Sequence, residues 1–179
     1  VLKDVAPISL LHEVLSPKGF NASQIRDIYR SLSSSQSGKR FFTNEWEVLR
    51  DREYLWIQKK DSSPLIPELI IEEIERTPSF VIPRDKHIAC LDADKLNHPL
   101  TIRKWERGDK FVPLGMNGKK KLSDYLTDKK YSLFQKENQY VVCSGEDIVW
   151  LVNERTDHRY RITDSTQRIL LIKIKKDGQ

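Results

Sequence analysis

The sequence predicts an α+β protein in two parts: an N-terminal helical segment with a short β-hairpin, then a small mixed β-sheet domain with one or two helices. Three observations carry this. Apolar residues recur at helical spacing through residues 1–36. Residues 39–60 and 140–174 switch to short runs of β-branched and aromatic residues bounded by turn formers. Between those regions, residues 61–100 hold eight acidic residues against four basic ones, with five prolines, a composition suited to a connector with extended pieces.

Ile8, Leu11, Val14 and Leu15 form the first stripe, which Ser16-Pro17 stops. Asn21 is placed to cap a second helix, with Gln24 three residues on to close a capping box and Phe20 and Ile25 as its hydrophobic staple. Ile25, Ile28, Tyr29 and Leu32 continue its inner face. Phe41-Phe42, Trp46-x-Val48 and Tyr54-Leu-Trp56-Ile read as strands, and Asp61-Ser-Ser-Pro64 breaks the pattern. A further strand is expected at His87–Leu91, and the domain boundary is expected near Phe80, giving parts 1–80 and 81–179. In the second part Leu100-Thr-Ile-Arg suits a strand and Gly108-Asp109 a turn. Asn117 would cap a short helix starting at Lys119, with Leu122, Tyr125 and Leu126 on one face and Lys120 and Asp124 one turn apart on another. Tyr140-Val-Val-Cys143 and Ile148-Val-Trp150 flank a Ser144-Gly145 turn and form a hairpin. Alternation returns at Arg159-Tyr-Arg-Ile and Ile169–Ile174, before a tail expected to fray.

Charge is the most informative feature. Residues 101–130 contain nine Lys and Arg against four Asp and Glu, a net +5 equal to that of the whole 179-residue chain. A focused basic patch steers and holds polyanions; the competing reading is a solvated lysine cluster. Residues 1–60, with ten basic and seven acidic residues, are also positive. Mean hydropathy is −0.59, and no apolar run approaches the ~20 residues of a membrane span. The opening Val1-Leu-Lys-Asp-Val-Ala-Pro is too short and polar for a signal peptide, and the start without Met is that expected of a piece of a longer protein. Two distant cysteines, Cys90 and Cys143, fit a reducing, cytoplasmic setting.

Catalytic and metal patterns fail on spacing. Ser37-Gly38-Lys39 lacks both the glycine of a P-loop, Ser33 standing there, and the Ser or Thr after the lysine, where Arg40 stands. His87, Cys90, Asp92, Asp94 and His98 match no zinc pattern, so no metal is expected. Trp105, inside the basic run, could stack on a base or plug a sheet edge, with burial favoured. Arg155, Asp157 and Arg159 form a local ion-pair set or offer Arg159 to phosphate.

Several spaced blocks carry a resemblance. They are Arg103-Lys-Trp-x-x-Gly108-Asp109-x-Phe-x-Pro113-Leu-Gly115-Met-x-Gly118-x-Lys120-Lys121-Leu-Ser-Asp124-Tyr-x-x-Asp128-Lys129, then Ile148-Val-Trp150-Leu-Val and Arg155-x-Asp157-x-Arg159-Tyr. Upstream stand Leu91-Asp-Ala-Asp-Lys-Leu96, Ser37-Gly38-Lys39-Arg40-Phe41 and Leu49-Arg-Asp-Arg52. Together they resemble the C-terminal portion of tRNA(Ile)-lysidine synthetase. Asn153 stands where that family usually has glycine, and Ser132 where proline is frequent. The resemblance implies a parent ligase that uses ATP with Mg to adenylate the wobble cytidine of a minor isoleucine tRNA, which lysine then attacks. It implies no catalytic residue and no cofactor in this chain: Ser144-Gly145-Glu146-Asp147 lacks the second glycine and final serine of the family's pyrophosphate loop.

The partner implied is tRNA, held on its acceptor-stem side, with a middle domain in 1–80 helping to orient it. The RNA-binding candidates are Arg103, Lys104, Arg107, Lys110, Lys119, Lys120, Lys121, Lys129 and Lys130, then Lys39, Arg40, Arg50, Arg52 and Arg159. Gly108, Asp109, Pro113, Gly115 and Asp124 are expected to support them. The alternative is a protein-interaction or homodimerisation module with a solvated basic surface.

Overall fold

A computed structural model describes residues 7–34, 36–60 and 66–175. The breaks expected at Asp61–Pro64 and in the tail beyond Lys175 lie outside the described residues. The described chain forms two compact units, residues 7–60 with Ser132–Phe134, and residues 66–131 with 135–175.

In the first unit, helices α1 (Pro7–Leu15) and α2 (Ala22–Leu32) precede an antiparallel meander of β1 (Lys39–Phe42), β2 (Trp46–Asp51) and β3 (Tyr54–Lys59). The capping box forms: the Asn21 side chain accepts from the Gln24 N–H at 2.9 Å, and the Gln24 side chain accepts from the Asn21 N–H at 3.0 Å. Leu15, Phe20, Ile25, Ile28 and Val48 make the core. Tyr29 and Leu32, expected on the inner face of α2, are exposed. Ser31 occupies that face instead, because its hydroxyl donates to the Ile28 carbonyl and so enters without an unpaired polar atom.

The second unit is built on a four-stranded antiparallel sheet, ordered β11 (Arg155–Thr156), β10 (Asp147–Leu151), β9 (Tyr140–Ser144) and β6 (Leu100–Lys104). It is buried on both faces, and β9 shows how: Val142 joins one cluster with Val149, Trp150, Leu170 and Ile172, while Val141 and Cys143 join another with Phe111, Leu122, Tyr125 and Leu126. Period-two alternation thus serves two cores. One face meets a three-stranded sheet of β4 (Leu69–Glu75), β12 (Arg168–Ile174) and β5 (Ile88–Asp92). The other meets α3 (Leu122–Asp128). All strand pairings among the described residues are antiparallel.

Two differences from the sequence reading have physical causes. The acidic connector contains β4, which pairs with β12 along its whole length, so the described residues 66–80 fall in the second compact unit, ahead of the boundary expected near Phe80. Its glutamates hid the strand, since Glu is depleted in sheets. Basic residues of the partner side answer them: Arg168 meets Glu73 at 3.0 Å and Lys175 meets Glu68 at 2.6 Å. Second, Lys120 and Lys121 form a strand, β8, opposite β7 (Lys110–Phe111), and α3 begins at Leu122. Asn117 therefore caps nothing; the extended backbone of Lys121 leads into the helix, and the Leu122 N–H donates to the Asp109 carbonyl at 2.8 Å. Asn153 has φ +60°, the left-handed region that glycine favours and Asn tolerates. A short helix α4 spans Leu133–Glu137.

Candidate nucleic-acid interface

The turn before the β7–β8 ribbon is held by one ion pair. Arg103 meets Asp109 with two bonds, 2.8 and 2.9 Å, and Asp109 also accepts from the Glu106 N–H at 2.8 Å. Gly108, at φ +108°, supplies the conformation the turn needs. Burial pushes the Asp109 carboxyl up, but the Arg103 bonds and the Glu106 N–H outweigh it and hold it below its ordinary value. The same bonds favour the charged form of Arg103.

Arg159 is likewise engaged, with Asp157 at 3.0 Å and Asp147 at 2.8 Å. Asp157 is fully buried and accepts from the Val112 N–H at 2.8 Å, so this network fastens the 112–113 segment to the sheet. Lys104 donates to Asn138 at 3.3 Å. Lys129 lies 3.5 Å from Glu154. Lys120 pairs with Asp128 at 2.6 Å and not with Asp124, because it sits on a strand ahead of the helix and not on the helix itself. Asp124 meets Ser123 and stands in the first turn of α3, where a carboxylate suits the dipole. Trp105 is half-buried against the α3 core and its indole N–H donates to the Lys136 carbonyl.

What stays open is narrower than the charge run suggested. Lys110 and Lys121 face one another directly across the ribbon, and both are exposed. Among the described residues neither they nor Arg107 make an ion pair. Exposed Lys119 adjoins them in sequence and lowers the carboxyl pKa of Asp147 by its charge, beside the larger opposing effect of burial and the larger lowering effects of Arg159 and Tyr160. Lys130 takes φ +59° at the end of α3 and is not among the open cations. Like charges directly opposite on a sheet repel, so the ribbon is a place where a bound anion would stabilise the protein.

The first unit repeats the arrangement. Lys39 faces Arg50 across β1 and β2. Lys39 is exposed, and Arg50 reaches the Gln36 carbonyl at 3.5 Å. Arg40 is paired with Glu47 at 2.5 Å. Arg52 occupies the β2–β3 turn at φ +54°, its N–H on the Ser37 hydroxyl at 2.9 Å. The Ser37–Lys39 stretch therefore forms part of this hairpin edge and not a phosphate loop.

Sequence reasoning missed Glu154, which accepts from the Tyr125 and Tyr131 hydroxyls at 3.0 Å each. No local signal marks it, since the tyrosines lie 29 and 23 residues away. Burial, then the Glu154 charge, raises both phenol pKa values, that of Tyr131 to about 12. The acidic and histidine residues weighed as metal ligands go to separate partners: Asp92 to Thr166 and Lys95, Asp94 to Arg168, His87 to Asn153. Ser144 and Asp147 close the β9–β10 hairpin, with Asp147 held by Arg159 and Tyr160, which does not fit a nucleotide loop. Among the described residues no helix is long and apolar enough to cross a membrane.

Two family models match this chain: the TilS substrate binding domain over residues 1–60 and the TilS substrate C-terminal domain over residues 100–172. The chain is 52% identical over 177 residues to a tRNA(Ile)-lysidine synthase of Bacteroides thetaiotaomicron, covering 97% of this chain and 41% of that protein. It is 42% identical to the same enzyme of Parabacteroides distasonis, covering 93% and 41%. The chain thus spans about two fifths of the length of the curated relatives it matches. A crystal structure of a TilS C-terminal domain superposes with a TM-score of 0.54 at 20% identity, over 65% of this chain and 88% of that one, a likeness of fold.

Proposed function

The chain belongs to the tRNA(Ile)-lysidine synthase family, in its C-terminal portion, and from that premise we propose that it binds tRNA and positions it for the parent enzyme. The parent reaction would be ATP- and Mg-dependent joining of lysine to the wobble cytidine of an isoleucine tRNA, in the cytoplasm. This chain would contribute selection and orientation, with the second unit on the acceptor-stem side. The observation that carries the reading is the Lys110–Lys121 pair: two exposed lysines opposite one another in the β7–β8 register, with Arg107 and Lys119 close to them in sequence. Double-stranded RNA presents closely spaced phosphates and is recognised by shape and backbone contacts, and neutralising them releases counterions. Arg103 and Arg159, engaged with carboxylates, brace the loops that carry the open cations.

The test is binding to an isoleucine tRNA across a salt series. Lys110, Lys119 and Lys121, changed together to Ala, should lower the slope of log affinity against log salt by about two to three units. An unchanged slope would refute the clamp. Comparison with an unrelated tRNA reads selectivity. A second reading, self-association, rests on β4, an edge strand with Ile70 and Ile71 exposed; a mass that rises with concentration would support it.

A further inference from the structure

The lysine ribbon answers phosphates but gives no role to the loop before it. Residues 113–118, Pro-Leu-Gly-Met-Asn-Gly, hold two large apolar side chains in the open, Leu114 at 39% and Met116 at 44% exposure. The loop is firmly tied. The Leu114 N–H donates to the Thr156 carbonyl at 3.0 Å, the Gly115 N–H to His158 Nδ1 at 3.1 Å, and the Met116 N–H to the Pro113 carbonyl at 2.8 Å. The Arg155 guanidinium donates to the Leu114 carbonyl at 3.0 Å. Gly115 takes φ +90°, which turns the chain between the two apolar residues. A tethered backbone that presents apolar atoms to water is a preorganised surface, since burying those atoms would be favourable.

Leu114 and Met116, with Pro113, form one wall of a cavity of about 410 Å³. Tyr125 forms another, with the Lys120 and Lys129 ammonium groups 5.8 and 5.7 Å from its ring centre. Arg155 and Asp128 complete the lining, so three cations stand against one carboxylate. Each cation keeps donor capacity. An ammonium has three donors and a guanidinium five; Lys120 is engaged with Asp128, Lys129 is 3.5 Å from Glu154, and Arg155 bonds one carbonyl.

We propose that this cavity takes one unpaired ribonucleotide of a bound RNA strand. The base lies against Leu114 and Met116, and its phosphate meets Lys120, Lys129 and Arg155. The proposal rests on the RNA-binding reading above and extends it from paired to unpaired RNA. A duplex keeps its bases stacked inside and shows backbone and groove, so exposed Leu and Met atoms gain nothing from it. An unstacked base offers a flat apolar face with an anion attached, which is what an apolar wall beside three cations complements. The cavity volume lies in the range of small-ligand sites, ~300–1,000 Å³.

The chain has a single methionine, Met116, so isotope labelling of methionine methyls gives one resonance, inside the cavity. The 179-residue chain is titrated with a short single-stranded oligoribonucleotide, with the same sequence as a blunt duplex, and with a glutamate peptide of equal charge. The single strand should move the methyl resonance upfield by ring current, and the duplex should bind without moving it. Leu114→Ala, at an exposed site, removes apolar surface that a bound base would cover and should weaken single-strand binding about five- to tenfold, leaving duplex binding unchanged. Single-strand binding, seen by anisotropy, with an unmoved methyl overturns the cavity assignment and leaves the ribbon reading intact. Equal shifts from both RNAs also overturn it. A shift from the peptide alone assigns the cavity to protein recognition and overturns it as well. No binding of either RNA at low salt removes both readings.

Discussion

Removing either partner of the Arg103–Asp109 pair would separate the residues that brace the proposed interface from those proposed to touch RNA. The pair makes two charge-assisted bonds, and Asp109 takes a third from the Glu106 N–H. Charge-assisted bonds contribute ~1.5–3 kcal/mol each when water is excluded. Arg103 is about one-third exposed, with Asp109 at 14%, so solvent discounts that sum by roughly half. Asp109→Ala should therefore cost about 2–4 kcal/mol, and an Arg103→Ala/Asp109→Ala cycle should return a coupling of about 1.5–3 kcal/mol. The assay is urea unfolding with amide exchange of β9 as the local readout for the second unit. The pH dependence has a definite sign. Because the folded carboxyl lies below its usual 3.8, its contribution is present above that value and disappears as pH falls through the folded pKa. The wild-type advantage over Asp109→Ala should shrink in acid. Arg103→Ala, once folded, should keep the wild-type salt slope for RNA. A coupling below about 0.3 kcal/mol, or a slope reduced as much as in the ribbon variant, would refute the division between brace and clamp.

Lys110→Glu should affect stability and binding in opposite directions: about 0.5 kcal/mol more stable in urea, since opposite charges then face each other across the ribbon, and weaker binding to tRNA with a shallower salt slope. Glu154→Gln should lower the Tyr131 phenol pKa from about 12 in a phenolate absorbance titration, because burial, the larger cause, remains but the Glu154 charge that adds to it is gone. The same change should cost about 1–2 kcal/mol of stability at neutral pH, less as pH falls, since the Glu154 carboxyl is held below its usual value.

Much of the fold was legible because its signals are local. The Asn21–Gln24 box, the Ser144-Gly145 hairpin and the Leu122–Tyr125–Leu126 face each lie within a few residues, and each forms. The misses are non-local. β4 is a strand because β12, nearly 100 residues later, supplies its hydrogen bonds, Arg168 answers its Glu73 and Lys175 answers Glu68 just before it. Lys120 and Lys121 are extended because β7 pairs with them, overriding a helical pattern that begins one residue later. At the proposed interface, composition located the basic segment but could not say which cations have partners. Asp128 is eight residues from Lys120, Glu154 is 25 from Lys129, and no pattern in the sequence joins them.

A charge run and an interface are therefore different objects. Folding assigns carboxylates to Arg103, Lys120 and Lys129, each near a loop or helix end that must be fixed, and among the described residues gives none to Lys110 and Lys121. Stability alone would favour the opposite choice at the ribbon, since one Glu there would convert repulsion into attraction. Lys39 and Arg50, in the separate β1–β2 hairpin, show the same unfavourable pairing. Two hairpins in two units that both set cation against cation are each improved by an external anion.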